Sequence, residues 1–94
     1  CIILMECEFD EKKARSNIRK HGVSFEEACS ALLDDRVIWM EDPDAQGENR
    51  WAVLGLSRRG RLLAVVMTLR NDRFRIISAR KATNNEVQIY AQRV

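Results

Sequence analysis

Residues 62–67, Leu-Leu-Ala-Val-Val-Met, are apolar on both faces of any strand they form. Such a strand has to be covered twice, so it belongs at the centre of a sheet with packing on each side. Its neighbours are close in sequence. Residues 50–56 precede it across a turn at 57–60, and residues 74–79 follow it after Asn71-Asp72. Turns that short join antiparallel neighbours, so this half of the chain reads as a meander. Residues 36–40 add a short strand, and 41–49, with Pro43 and Gly47, read as a polar loop.

The helices are marked by their caps. Asp10 reads as the N-cap of a helix over residues 11–20, with Phe9 and Ala14 at the two staple positions and Gly22 as a left-handed stop. Its apolar stripe is only Ala14 and Ile18, which puts it on the surface. Ser24-Phe-Glu-Glu27 predicts a capping box in which the Ser24 hydroxyl and the Glu27 carboxylate each satisfy a backbone N–H. Phe25, Ala28, Cys29, Leu32 and Leu33 then form one buried face, and Asp34-Asp35 closes the helix. Thr83-Asn-Asn-Glu86 is a second box, and Val87, Tyr90, Ala91 and Val94 stripe the last helix. Ahead of all this, residues 3–9 alternate apolar and polar as a half-buried strand does.

The order β-α-α-β-β-β-β-α predicts a single α+β domain over residues 1–94, with a mostly antiparallel sheet. Two N-terminal helices pack on one sheet face, and a short C-terminal helix lies on the other. That helix carries too little apolar surface to cover its face, which leaves Trp39, Trp51 or Val53 for a protein partner. Met5 is the natural start by this reading, with residues 1–4 an upstream extension.

Charge is divided unevenly. Residues 1–47 hold six Lys/Arg and eleven Asp/Glu, and residues 48–94 hold ten and three, so −5 and +7 sum to the net +2. The basic half suits an anionic partner. Three cysteines without metal-type spacing and a single histidine argue against a zinc site and favour a reducing, cytoplasmic compartment. Cys1-Ile-Ile-Leu is too short for a signal peptide or membrane span, no hydrolase nucleophile motif, phosphate loop or dinucleotide fingerprint appears, and no cofactor is expected.

What remains for chemistry is a scatter of His, Arg, Lys and Tyr. Arg80-Lys81 sits where a strand hands over to a capped helix, a place suited to gripping phosphate. His21, beside Lys20 at a helix end, can act as general acid or base near neutral pH. Arg50 opens a strand after the polar loop, and Arg75 shares a strand face with Ile77, partly buried. Arg58, Arg59 and Arg61 read as a solvated turn, Glu86 as a cap, and Tyr90 as a core residue with its hydroxyl at the rim.

Phe9-Asp10, Lys20-His-Gly-Val-Ser-Phe-Glu-Glu-Ala28, Glu48-Asn-Arg50, and Arg75-Ile-Ile-Ser-Ala-Arg-Lys-Ala82 with Glu86 and Tyr90 together resemble the BrnT toxin family. The similarity runs from Met5 to Tyr90. It implies a compact fold related to the RelE-type ribonuclease toxins and a role in a type II toxin–antitoxin system. It also implies a BrnA-type antitoxin that neutralises the toxin as a hetero-oligomer and carries the DNA-binding domain, so that the chain meets DNA only through its partner. Asn84, Asn85, Val87 and Gln88 stand where members usually carry more basic residues.

The leading expectation is a metal-independent endoribonuclease. Arg80, Lys81 and Arg50 would act on the phosphate, His21 would transfer protons, and Lys20, Arg75 and Tyr90 would bind RNA. The rival is a non-catalytic binding module or corepressor whose basic half docks an acidic antitoxin segment. Direct DNA binding through the Arg-rich turns is a third reading, weakened because no helix carries a row of base-reading side chains.

Overall fold

The computed structural model describes residues 7–41, 50–70 and 73–92. Residues 3–6 of the expected first strand, the loop at 42–49, the turn at 71–72 and Val94 lie outside them. Seven elements follow in order: α1 (Glu11–His21), α2 (Phe25–Ala31), β1 (Ile38–Glu41), β2 (Arg50–Leu56), β3 (Leu62–Arg70), β4 (Arg73–Lys81) and α3 (Asn84–Gln92). The strands form one antiparallel sheet in the order β1-β2-β3-β4. This is the α+β meander predicted, with β3 in the interior of the sheet. Of the expected first strand, the described residues 7–9 show a parallel bridge from Glu8 to Arg75.

The two faces of β3 are covered unequally. Leu63, Val65 and Met67 are fully buried with Val23, Phe25, Ala28 and Ala31 beneath α1 and α2. On the opposite face Ala64 joins Ile38 and Leu54 in a small cluster closed by Tyr90 and Ala82. Among the described residues of α3 none is buried, and Val87 and Ile89 remain exposed. The sheet also curls. Trp39 of β1 reaches Phe74 of β4, with ring centroids 5.1 Å apart, and Trp51 packs edge-on against both. Of the three residues expected to be left open, Val53 is fully buried, Trp51 half-buried, and Trp39 is 38% exposed.

Two local features set how tightly α2 sits. Cys7 and Cys29 form a disulfide that ties the lead-in segment to α2, which the cysteine count did not anticipate. Closing a loop with a sequence separation of 22 contributes on the order of 3 kcal/mol by restricting the unfolded chain. At Gly55 the backbone of β2 lies tight against the end of α2. A Cβ there would lie 2.2 Å from the Ala31 carbonyl oxygen, so backbone rather than a flexible side chain blocks it. Gly55→Ala is therefore expected to cost about 1–3 kcal/mol, read as a lower urea midpoint with an unchanged slope.

Candidate active site

β4 is one of the two edge strands of the four-stranded sheet, and the chain covers its outer edge in two places. Near one end the Glu8 N–H donates to the Phe74 carbonyl (3.3 Å) and the Ile76 N–H donates to the Glu8 carbonyl (2.9 Å). Further along, buried Asn17 of α1 takes the place of a partner strand. Its Nδ2 donates to the carbonyls of Ala79 (2.7 Å) and Val23 (2.9 Å), and its Oδ1 accepts from the Ala79 N–H (3.1 Å). Between the two the register slips: Met67 faces Ile76 and Val66 faces Ser78, leaving Ile77 as an extra residue. A bulge of this kind bends the strand and interrupts pairing.

The open stretch at Ile77 borders two cavities. One, of about 230 Å³, is lined by Asp10, Lys13, Arg50, Thr68, Arg75, Ile76 and Ile77. The other, of about 210 Å³, is lined by Lys13, Ser16, Asn17, Lys20, His21, Ile77 and Ser78. Lys13 and Ile77 belong to both, so the cavities join into a groove along α1 and the β4 edge. Lys13 and Lys20 are seven residues apart, two helical turns, or roughly 10 Å along the axis. Among the described residues the charged groups lining the groove are cationic except for Asp10, whose carboxylate accepts from the Lys12 N–H as the cap of α1. His21 is the last residue of that helix, which stops at Gly22 in the left-handed region (φ 70°).

Four of the seven residues singled out in the sequence therefore line one groove: Lys20, His21, Arg50 and Arg75. The other three do not line it. Ala79 is buried on the α1–α2 face, so Arg80 points to the opposite face, where its cross-strand partner is Ala64. Arg80 and His21 are thus held on opposite sides of the sheet. The Arg80 guanidinium is also engaged, bonding both carboxylate oxygens of Glu86 at 2.7 and 3.0 Å. Lys81 is exposed at the end of β4.

The sequence matches the family model of BrnT, the ribonuclease toxin of type II toxin–antitoxin systems, over residues 9–86. The chain belongs to the BrnT family. Its fold is similar to that of the Brucella abortus ribonuclease toxin BrnT in its crystal structure. That match has a TM-score of 0.67 and 23% identity, and it covers 86% of this chain and all of the Brucella chain. No curated protein sequence matches it. Membership of a type II toxin family implies an antitoxin as partner.

In this BrnT-family chain the residues at the β4–α3 corner are committed to one another. Glu86 completes the predicted capping box, accepting from the Thr83 N–H (2.8 Å) while the Thr83 hydroxyl accepts from the Glu86 N–H (3.2 Å). The Arg80 guanidinium holds the Glu86 carboxyl below its usual range, with burial opposing and the Thr83 N–H adding. The Tyr90 hydroxyl donates to Asp34, and burial followed by that carboxylate raises the phenol above its ordinary value. For Asp34, burial pulls upward but is outweighed by the Tyr90 hydroxyl and by the backbone N–H groups of Leu56 (2.9 Å) and Arg36 (3.1 Å), so its net displacement is downward.

The Lys20–Ala28 motif hides a second commitment. Ser24 caps α2 through the Glu27 N–H as predicted (3.0 Å), but the Glu27 carboxylate does not return to the cap. It turns inward to Arg61 and to the Ser57 hydroxyl (2.7 Å). Arg61, expected in a solvated turn, is half-buried and also reaches the Gly22 carbonyl (3.2 Å). Arg59, largely exposed, approaches the same carboxylate at 3.6 Å. The Arg61 guanidinium brings Glu27 down to about 2, against the opposing pull of burial. This pair fixes the turn after β2 to the segment that ends α1, the end that carries His21.

Proposed function

We propose that the chain is a metal-independent endoribonuclease that cleaves RNA in the groove between α1 and the edge of β4. The observation that carries this reading is the gathering of His21, Lys20, Lys13, Arg75 and Arg50 along one groove. The ribose 2′-OH attacks the adjacent phosphate, forming the new P–O bond as the bond to the 5′ oxygen breaks. The products are a 2′,3′-cyclic phosphate and a free 5′-OH. One group must remove the 2′-OH proton, another must protonate the departing oxygen, and cations must balance charge on the phosphoryl oxygens. His21 is assigned to proton transfer, Lys20 to the reacting phosphate, and Lys13, Arg75 and Arg50 to the RNA strand beside it. Arg80, held by Glu86, becomes a positioning residue for α3, and Tyr90 likewise.

Expressed alone, such a chain arrests growth by destroying RNA needed for translation. A BrnA-type antitoxin relieves the arrest by forming a hetero-oligomer with it, and contact with DNA runs through that antitoxin. The reading puts the chain in the cytoplasm with its substrate. There the Cys7–Cys29 bridge is open to reduction, and the caps and the Glu27–Arg61 pair have to hold the fold without it.

Incubating the purified chain with RNA in EDTA tests the reading. Fragments ending in a cyclic phosphate are expected. His21→Ala and Lys20→Ala are each expected to slow cleavage by about a hundredfold or more, the usual loss of one transition-state donor. Wild-type cleavage by either variant would remove that residue from its role. Absence of cleavage and of growth arrest, with antitoxin binding retained, would leave a non-catalytic binding module instead.

A further inference from the structure

The half of the groove away from His21 contains a group that the cleavage chemistry does not use. Thr68 is only 5% exposed, and its hydroxyl has no hydrogen-bond partner among the described residues. A buried hydroxyl in that state is uncommon because it has given up water for nothing. Thr68 is not adrift in apolar packing. It lies opposite Arg50 on β2 and opposite Arg75 on β4, so the three form one cross-strand row on one sheet face. All three line the 230 Å³ cavity, together with Lys13 and Asp10 from the start of α1.

We infer that this row is a phosphate-binding subsite for a second position of the RNA chain, separate from the phosphate at His21. Three cationic residues line the cavity from three different elements, and Asp10 brings the formal balance of the described lining residues to +2. A hydroxyl that can donate sits at the centre of the row. This is a donor set for a multi-oxygen anion approached from several sides. At about 230 Å³ the cavity falls below the roughly 300–1,000 Å³ of sites that enclose a whole small ligand, so it suits one group of a longer chain. Lys20 and His21 lie two helical turns along α1 from Lys13, so one phosphate cannot occupy both halves. The subsite rests on the ribonuclease reading for the identity of its ligand, and it adds that the substrate spans both halves of the groove.

Thr68→Val removes the hydroxyl and little else, and Thr68→Ser keeps it. The probes are a 5′-phosphorylated 2′-deoxy oligonucleotide, which cannot be cleaved through a 2′-OH, and a glutamate-rich peptide as a carboxylate control. Each is titrated against the full chain, and the melting temperature of every variant is measured alongside. Thr68→Val is expected to bind the oligonucleotide about tenfold more weakly, the loss of one hydrogen bond to a charged group. Its melting temperature should be level with the wild type or higher, since an unpartnered buried hydroxyl is gone. Thr68→Ser should bind as the wild type does.

Unchanged oligonucleotide affinity in Thr68→Val overturns the subsite, and a lowered melting temperature with it would mark the hydroxyl as structural. A glutamate peptide that binds as tightly, with the same dependence on Thr68, assigns the row to a protein partner and overturns the RNA assignment. The two readings fail separately. A chain that does not cleave RNA yet shows the Thr68-dependent affinity loses the ribonuclease reading and keeps the phosphate subsite. One that cleaves RNA while Thr68→Val binds normally keeps the first and loses the second.

Discussion

Glu27→Gln is expected to lower stability by about 3 kcal/mol at neutral pH, with no change of shape at the site. Glu27 is 2% exposed, and its carboxylate is shared by Arg61 and Ser57. The amide keeps the volume but leaves the Arg61 guanidinium half-buried with no opposing charge. Removing one partner of a buried pair costs more than the pair contributes, because the survivor stays desolvated. For a domain of this size the melting temperature should fall by roughly 12–24 °C.

The same substitution should change how stability responds to acid. The folded-state value for Glu27 lies below its ordinary 4.5, at about 2. Its contribution is therefore complete above the unfolded value and is lost as the pH falls from about 4.5 through 2. The displacement corresponds to on the order of 3 kcal/mol. Urea unfolding of both proteins across that range should show the wild type losing its advantage until the two curves converge. A deficit that stays constant with pH would mean that the glutamine disturbs packing and that the carboxylate charge is not what matters.

Glu27 also shows why some of this molecule was legible in sequence and some was not. Patterns that depend on neighbours in the chain came through: the meander around residues 62–67, the left-handed stop at Gly22, the Thr83–Glu86 box. At Ser24–Glu27 the same local rule predicted the backbone half of the box and missed the side chain, because Arg61 lies 34 residues away and competes with a local N–H. The candidate site divides along the same line. Residue types suited to phosphate could be picked out singly. Which of them share a groove depends on the covering of the β4 edge: the extra residue at Ile77 puts Arg75 and Arg80 on one face, and of the two Arg75 is the one beside Asp10 and Lys13. With alternation unbroken, Arg80 and Ile76 would share a face. The bulge instead pairs Ile76 with Ala79 and sends Arg80 to Glu86. Thr68 and Lys13 gave no signal of their own, since a lone threonine in an apolar strand and a lysine on a surface helix are ordinary.

Asn17 was equally silent, and its loss should be the most damaging of the polar substitutions. In Asn17→Ala the Ala79 N–H and the carbonyls of Ala79 and Val23 lose their partners together. At about 1–3 kcal/mol for each buried group left unsatisfied, with water relieving part of the loss, the total should be on the order of 4 kcal/mol. Asn17→Asp is the sharper variant. It keeps the oxygen that accepts from Ala79 but turns a carboxylate toward two carbonyl oxygens that need a donor. A cost at least as large as that of alanine is expected, despite the matching shape. If aspartate were tolerated better than alanine, the contact would be holding α1 by packing and not by its donors. Hydrogen exchange separates local from global effects: the Ala79 amide should lose protection before the amides of β3 do. Cleavage should fall further than the unfolded fraction accounts for, because Asn17 secures the stretch of α1 that presents Lys20 and His21 to the groove.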